Sequence, residues 1–404
     1  MDSCVEDRRY IEFSQFTVMV MTSLAAVLAL ASIDKQVVHT PWWPPGSEAT
    51  SESVGIVSRG RIFMTAMMEL NATNAKSVHQ ELSDVADIAT AAGTNLSGLV
   101  SCLVNAPAKQ SAQIRALFEA DPSWPTHIAL TVAEMVGEYS GMFPFQLQCT
   151  GVQPALAPVR TVSRGSRSRA VIAGGIAEVA VRASSATDAL SETRALLTTG
   201  LDDVLSCTAL VRNGRQGEID ATELRAALRA IAVPAALTIV HAPTAEVGSN
   251  EELMSLACTA KTDEAAPGDT AGVKGSGGAY AVVDHTHGLV YVDGLHITDA
   301  NATGAFDHLA SVLEAAGTDL SRVLACRFYL SELPAAGYPV KLFAGFQKLF
   351  CEANPPPPTR AEYVAAAVAT EPRDGMEAGG EVSGAPGLIA QCTAALPMRE
   401  ELGL

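Results

Sequence analysis

Two twelve-residue segments of this chain are closely similar, and a shorter form of the same motif occurs a third time. Ala91–Cys102 reads AAGTNLSGLVSC, Ala315–Cys326 reads AAGTDLSRVLAC, and Leu197–Cys207 reads LTTGLDDVLSC. Each copy places a glycine, which suits a helix C-cap, before an Asp or Asn and a short hydrophobic run. The motif predicts a helix end, a turn and the start of a strand, and its recurrence predicts three copies of one unit.

A Cys-Thr pair closes each copy, at the end of the stretches FQLQCT, LMSLACT and LIAQCT. Together with the cysteine of the first motif, these pairs account for six of the eight cysteines. No Cys-x-x-Cys and no zinc-like spacing occurs. Two repeated strand positions are typical of small buried side chains, and we expect their thiols to be free.

The segments between these motifs also repeat, as strands with period two and helices with apolar residues every three or four positions. The predicted unit is β-β-α-β-α-β-β, with about the size of one small domain. The three units span 51–155, 160–262 and 272–398, after an N-terminal hydrophobic extension, 1–50. The predicted fold class is mixed α/β (α+β), and exactly three tandem units with short linkers favour a ring around a pseudo-threefold axis.

The chain is acidic, with a net charge of −17. Such a surface repels phosphate backbones, so no nucleic acid is expected as a partner. The densest basic run, Ser163–Arg169, has no interleaved aromatic residues and predicts a solvated loop. Asp284–Gly288 (DHTHG) is bracketed by turn-favouring residues and predicts a hairpin turn rather than a metal site.

Residues 16–32 form a predominantly apolar stretch of 17 residues, which is shorter than the roughly 20 that a membrane-spanning helix needs. The segment before it is not net positive, as a signal peptide would be. We predict a buried or appended segment, with a cleaved targeting signal and an anchor as alternatives. The predicted localisation is cytoplasmic, with organelle or secretory targeting by residues 1–31 as the alternative, and no membrane is expected as a partner of the mature domain.

The third unit resembles a known family. Gly278–Tyr280 followed by LVYVDG at Leu289–Gly294, the strand at Cys326–Glu332 and the turn at Asn354–Arg360 are similar, in this order, to motifs of the RidA/YjgF/UK114 reactive-intermediate deaminases. Unit 1 matches in outline and unit 2 weakly. The resemblance implies the chorismate-mutase-like YjgF fold, with the three units forming an intramolecular pseudo-trimer around a central barrel, helices outside and ligand clefts between neighbouring units.

The resemblance also implies that an arginine of the Pro-x-Arg turn holds the substrate carboxylate, a task that suits a planar guanidinium. Aligned on this turn, the three units carry His127, Ala236 and Arg360, so only unit 3 keeps the arginine. We interpret His127 as an ordinary strand histidine. Glu362 lies two residues after Arg360, on the same strand face, where it can act as general base. Arg360 and Glu362 are the predicted catalytic residues.

Five further residues are implied to bind the substrate: Tyr280, Asp293, Gly294, His296 and Asn354. Asp293 stands where the family usually has serine, and Gln391 is the polar residue nearest to the family's last-strand glutamate. Structural alternatives exist: Arg360 could pair with a carboxylate at a unit interface, and Tyr280 could be a packed aromatic residue with a bonded hydroxyl.

The resemblance implies an enzyme that hydrolyses 2-aminoacrylate-like enamines and imines to a keto acid and ammonia in one cleft, without a metal or organic cofactor. A non-catalytic small-metabolite-binding or scaffold protein of the same fold is the alternative, and an endoribonuclease, which the acidic charge disfavours, is a lesser one. The expected partner is a small imino or keto acid. We expect the chain to act as a monomer.

Overall fold

The computed structural model describes residues 35–42, 44, 53–66, 75–107, 111–135, 146–212, 214–242, 254–263, 270–297, 302–330, 359–363 and 388–398. The hydrophobic run 16–32 and the second helix predicted for unit 3, around 342–349, lie outside these residues. Within them, no helix combines the length and the apolar character that a membrane crossing requires.

The strands form three six-stranded sheets, one for each repeat. Sheet 1 contains β1 (Gln36–Val37), β2 (Gly55–Ser58), β3 (Arg61–Ala66), β4 (Leu99–Pro107), β5 (Ala129–Met135) and β6 (Gln146–Val152). Sheet 2 contains β7 (Arg160–Arg164), β8 (Ser168–Ala173), β9 (Ile176–Ala183), β10 (Val204–Arg212), β11 (Ala236–Ala242) and β12 (Met254–Lys261). Sheet 3 contains β13 (Thr270–Lys274), β14 (Tyr280–Asp284), β15 (Leu289–Ile297), β16 (Val323–Leu330), β17 (Thr359–Tyr363) and β18 (Leu388–Ala395).

Helices cover one face of each sheet. The helices are α1 (Ala75–Ala91) and α2 (Ser111–Ala120) in unit 1, α3 (Ala186–Leu196) and α4 (Arg215–Arg229) in unit 2, and α5 (Ala302–Ala315) in unit 3. In α1, Val78, Leu82, Val85 and Ile88 recur at steps of four and three and are fully buried on the sheet. This periodicity explains why a helix forms here and which of its faces packs inward.

All three sheets have the same strand order. It is β1-β2-β3-β6-β4-β5 in sheet 1, and sheets 2 and 3 repeat it as β7-β8-β9-β12-β10-β11 and β13-β14-β15-β18-β16-β17. Only the pairs β4–β5, β10–β11 and β16–β17 are parallel. The predicted mixed fold class with a threefold repeat is confirmed. Each sheet has one strand more than predicted, because an edge strand (β1, β7 or β13) precedes the others.

The repeated motif has the predicted local structure. Gly93, Gly200 and Gly317 have positive φ angles of 82°, 78° and 78°, which glycine adopts without a steric cost. The side chains of Asn95 and Asp319 then accept hydrogen bonds from backbone N–H groups two residues further on, at 2.8 Å. These caps start a short 3-10 turn that leads into the cysteine strand.

The six repeated cysteines form three disulfides, Cys102–Cys149, Cys207–Cys258 and Cys326–Cys392, so the expectation of free thiols is wrong. The two cysteines of each pair lie directly opposite each other on neighbouring antiparallel strands, with Cα atoms 4.1 to 4.2 Å apart. The repeated motifs placed both positions in strands, but only the sheet register shows that these strands are neighbours. Each disulfide lies in the apolar core between a sheet and its helices.

The three units contact one another in a closed cycle: β4 contacts β8, β10 contacts β14, and β16 contacts β2. The sheet faces that are not covered by helices meet in the middle. Apolar residues from all three units share one cluster around Leu205 and Tyr291 and another around Leu210 and Tyr329. The helices therefore lie outside and the three sheets inside.

The predicted hairpin turn at Asp284–Gly288 is confirmed, whereas the solvated loop predicted for Ser163–Arg169 is confirmed only in part, because Ser168 is buried in β8 and Arg169 bonds to unit 1. Asp284 ends β14 and accepts from the backbone N–H groups of Thr286 and His287 at 3.0 and 3.3 Å. Burial opposes its ionisation, but the hydrogen bond from the His287 ring, at 2.6 Å, and the charge of that ring keep the pKa of Asp284 below its usual value. The basic run is exposed from Ser163 to Arg167 in the β7–β8 hairpin, where Arg164 pairs with a helix carboxylate.

Candidate functional site

Strand register identifies the positions that correspond to Arg360 in units 1 and 2. Arg360 pairs, across the parallel strands β16 and β17, with the residue that follows the disulfide cysteine of β16. The residues that pair in the same way in the other units are Thr131 and Thr238. Of these three equivalent positions, only the one in unit 3 has a positively charged side chain, that of Arg360.

The sequence alignment of Arg360 with His127 and Ala236 is therefore wrong. The proline precedes the register position by six residues in unit 1, four in unit 2 and two in unit 3, so an alignment on proline does not align the strands. His127 lies before β5 and its Nε2 hydrogen-bonds to the carbonyl oxygen of Leu99 at 2.8 Å. Its role is structural, but it lies in the turn before β5 and not, as predicted, in the strand.

Tyr280 lies at the interface between units 2 and 3, where β11 packs beside β14 and β15. Its hydroxyl donates to the carbonyl oxygen of Pro234 at 2.8 Å, and its ring covers Gly272, where a Cβ would overlap it. Burial, and then the charge of Asp293, raise the pKa of the hydroxyl. This geometry is that of the structural alternative, a packed aromatic residue with a bonded hydroxyl.

The same position makes an inter-unit hydrogen bond in unit 2. Cross-strand register places Arg169 where unit 3 has Tyr280, and Arg169 Nη1 donates to the carbonyl oxygen of Ile128 in unit 1 at 3.1 Å. In unit 1, Val54 fills this position. At this position Tyr280 and Arg169 each make a hydrogen bond to a neighbouring unit, whereas unit 1 has the apolar Val54.

Asp293 and Gly294 form a bulge, because the pairing of β15 with β18 shifts between Val292 and Leu295. Asp293 Oδ1 accepts from the N–H of Gly294 at 2.6 Å. Bulges redirect side chains and are frequent beside binding sites. Here the neighbouring unit fills the space, since a Cβ on Gly294 would lie 3.0 Å from the side chain of Thr238. Units 2 and 3 are in direct contact at this point.

The strand that carries Arg360 and Glu362 leads to a different interface. β5 packs beside β9, and β11 beside β15, so each such strand faces the following unit. β16, the partner of β17, contacts β2 of unit 1. By the same relation between consecutive units, β17 is directed toward unit 1. The structure describes the backbone of Arg360, Glu362 and His296 but not their side chains, and Asn354 lies outside the described residues. The predicted site residues are divided between two interfaces.

A cavity of about 120 Å³ lies where the three sheets meet, and sequence reasoning did not identify it. We call it the axial cavity. The disulfide cysteines point toward the helices, so the residues next to them in each strand point the other way, into this space. The Thr of each repeated Cys-Thr pair lies in its wall: Thr150, Thr259 and Thr393. Alternation around the repeated cysteines was therefore a usable sequence signal.

Among the side chains that the structure describes, the wall of the axial cavity carries one charged group from each unit: Arg61, Glu178 and Arg327. The residues at the equivalent positions of the other two units are uncharged. They are Ile176 and Leu289 for Arg61, Phe63 and Tyr291 for Glu178, and Leu103 and Thr208 for Arg327. Burial raises the pKa of Glu178, while the charges of Arg61 and Arg327 act in the opposite direction. The threefold symmetry of the fold is thus broken by charge at its centre.

The part of the chain that the structure describes contains no group of three or more His, Cys, Asp or Glu residues arranged to hold a metal ion. Polar groups that could bind a ligand line the axial cavity and, on the sequence, occur on β17. Both sets contain arginine, which suits a carboxylate.

No protein-family model and no curated protein matches the sequence. Solved structures match part of it. Yeast Mmf1 is 13% identical, over 30% of this chain and 98% of that chain, with a TM-score of 0.25. The YjgF gene product from E. coli is 20% identical, over 25% and 86%, with a TM-score of 0.22, and E. coli TdcF with bound serine is 12% identical, over 29% and 98%, with a TM-score of 0.24. At these values the matches assign no activity to this chain.

Proposed function

We propose that this chain is a RidA/YjgF/UK114-type protein whose three units act as one pseudo-trimer and which hydrolyses reactive enamines and imines at a single inter-unit site. The observation that carries the proposal is the register of β17, in which Arg360 stands where the other units have Thr131 and Thr238. The unit toward which β17 is directed has Val54 where the other two interfaces have an inter-unit hydrogen bond. A guanidinium at this register position, where the other units have threonine, supports a carboxylate site there.

The chemistry follows from the side chains of β17. The Arg360 guanidinium binds the carboxylate of a 2-aminoacrylate-derived imine through two parallel hydrogen bonds. Glu362, on the same strand face, takes a proton from a water molecule whose oxygen bonds to the imine carbon. The C–N bond then breaks, the nitrogen leaves as ammonia with the protons it has acquired, and the carbon keeps the water oxygen as a keto group. Water is the only co-reactant.

A coupled assay tests this proposal. An amino-acid dehydratase generates 2-aminoacrylate from serine, semicarbazide traps the derived imine, and a deaminase lowers the yield of semicarbazone. We expect the wild-type protein to lower the yield and Arg360→Thr to be about 10- to 100-fold less effective, because a charge-assisted contact contributes about 1.5 to 3 kcal/mol. Threonine is the residue that the fold already carries at this register in units 1 and 2.

Arg164→Thr is the matched control, because it makes the same change on an exposed strand where the surface ion pair contributes little. Glu362→Gln is expected to lose turnover while it still binds a keto acid. If Arg360→Thr lowers the semicarbazone yield as well as the wild type and the control do, the proposed site is wrong.

A second candidate is a non-catalytic small-metabolite-binding protein. It is favoured by the contact between Thr238 and Gly294, which fills the cleft of units 2 and 3, and by uncharged residues at two of the three arginine positions. Thermal unfolding with pyruvate distinguishes the two functions. Stabilisation that Arg360→Thr abolishes, in a protein that never lowers the semicarbazone yield, supports binding alone.

We infer that the protein works as a monomer in an oxidising compartment. Disulfides persist in secretory and extracellular environments and are rare in the cytosol, so three of them favour targeting by residues 1–31 over the predicted cytoplasmic localisation. N-terminal sequencing of the mature protein from its native source tests this, and an intact Met1 in a cytosolic fraction contradicts it. The net charge of −17 disfavours an endoribonuclease.

A further inference from the structure

The axial cavity is walled by polar groups that the described protein leaves largely without partners. Arg327 donates only from Nε and Arg61 only from Nη2, although each guanidinium has five N–H donors. The hydroxyl of Tyr291 has no hydrogen-bond partner among the described residues, and Glu178 has one, the hydroxyl of Thr259 at 3.0 Å. Because buried polar groups are normally hydrogen-bonded, we expect a polar molecule to occupy this cavity.

The opposite charges in the wall do not neutralise one another by direct contact. Within the described chain no ion pair joins Glu178 to Arg61 or to Arg327. Among the described side chains of the wall, two guanidinium groups and one carboxylate give a net charge of one positive unit when Glu178 is ionised. A bound monoanion makes the site neutral, whereas a dianion or a zwitterion does not.

We propose that the axial cavity is a binding site for a small monocarboxylate, held by Arg61 and Arg327 and lying beside Arg360, which pairs with Arg327 across β16 and β17. A water molecule needs roughly 10 to 15 Å³ of such space, so a cavity of about 120 Å³ admits a molecule of several heavy atoms. Planar guanidinium groups match a carboxylate, and the side-chain amides of Gln148 and Gln391 and the Tyr291 hydroxyl supply further donors. Fixed donors in a buried site raise affinity, because they need no reordering on binding.

The site depends on all three units, because Arg61 comes from unit 1, Glu178 from unit 2 and Arg327 from unit 3. It therefore exists only in the assembled cycle. The repeat also supplies mild substitutions: Leu103 occupies in unit 1 the position that Arg327 occupies in unit 3, so Arg327→Leu introduces a side chain that the fold already accommodates.

Titration calorimetry with sodium acetate tests the proposal, with sodium chloride holding the ionic strength constant. We expect the wild-type full-length protein to bind acetate at a site that Arg327→Leu weakens about 10- to 100-fold, the range for a lost charge-assisted contact. Glu178→Gln removes the competing negative charge and is expected to tighten binding. A purely structural role for Glu178 does not predict tighter binding. Arg164→Thr, a change on an exposed strand outside the cavity wall, is expected to leave acetate binding unchanged.

Three results overturn the proposal. If the wild type gives no acetate heat beyond that of chloride, the cavity holds water or chloride only. If Arg360→Thr abolishes binding and Arg327→Leu does not, acetate occupies the cleft instead. If Arg327→Leu does not fold, Glu178→Gln decides, and unchanged or weaker binding refutes the site. None of these results depends on semicarbazone yield, so failure here and failure of the proposed deaminase are distinguishable.

Discussion

Replacing Lys35 tests how the N-terminal segment is held in the structure. Lys35 precedes β1, is only 8% exposed, and its Nζ donates to the carbonyl oxygen of Ser321 in unit 3 at 3.1 Å. Burial lowers its pKa from 10.5 to about 7, and the charge of Asp319 only partly opposes this. The segment before unit 1 therefore contacts unit 3 through a lysine that is easily neutralised.

The magnitude follows from proton linkage. Between pH 7 and 9 the unfolded chain keeps the Lys35 proton, because the usual lysine pKa is about 10.4, while the folded protein loses it. Since the unfolded state binds more protons, stability rises with pH in this window, by at most about 1.4 kcal/mol per pH unit. With Lys35 half-titrated near pH 7, the free energy of unfolding should rise by about 2 kcal/mol up to pH 9.

Guanidinium denaturation at pH 7, 8 and 9 measures this, with wild type, Lys35→Met and Lys274→Met compared at each pH. Groups that titrate in all three proteins contribute equally to each free energy of unfolding, so their contributions cancel when a variant is compared with the wild type. Lys274 is exposed on the edge strand β13, so its variant should keep the rise, whereas Lys35→Met should lose it. If Lys35→Met and the wild type change equally with pH, Lys35 is not buried against unit 3 and this reasoning is refuted.

Two further predictions concern the contacts within and between units. Tyr280→Phe removes the hydrogen bond to Pro234 and should lower the free energy of unfolding by about 1 kcal/mol; equal stability in guanidinium denaturation would show that this contact contributes nothing. Peptide mass mapping without reductant should recover Cys102–Cys149, Cys207–Cys258 and Cys326–Cys392 as linked pairs. Finding these cysteines alkylated as free thiols would restore the original sequence interpretation.

The repeat made most of the fold predictable. Helix ends at Gly93 and Gly317, and the apolar spacing of α1, are local properties that a sequence displays directly. The disulfides were missed because their formation depends on which strands are neighbours. Nothing in the spacing of Cys102 and Cys149 shows that their strands pair in register. The edge strands were missed because β1 has only two residues and β7 is exposed throughout.

The site was harder to predict, for two physical reasons. The number of residues between the proline and the register position differs between units. An alignment on proline therefore selects His127 and Ala236 instead of the register equivalents Thr131 and Thr238. The axial cavity is formed by side chains far apart in the sequence, such as Arg61 and Arg327, which look like ordinary strand residues until the sheets are assembled. The inter-unit role of Tyr280 likewise depends on a carbonyl group in another unit.

The most direct test of the central claim is a crystal structure of the protein soaked with pyruvate. The account predicts a pyruvate carboxylate bound by Arg360 between units 3 and 1, and none at Thr131 or Thr238. A pyruvate seated at Thr238, or an Arg360 side chain paired with a protein carboxylate and no ligand beside it, would contradict the claim that the cation at this register marks the functional cleft.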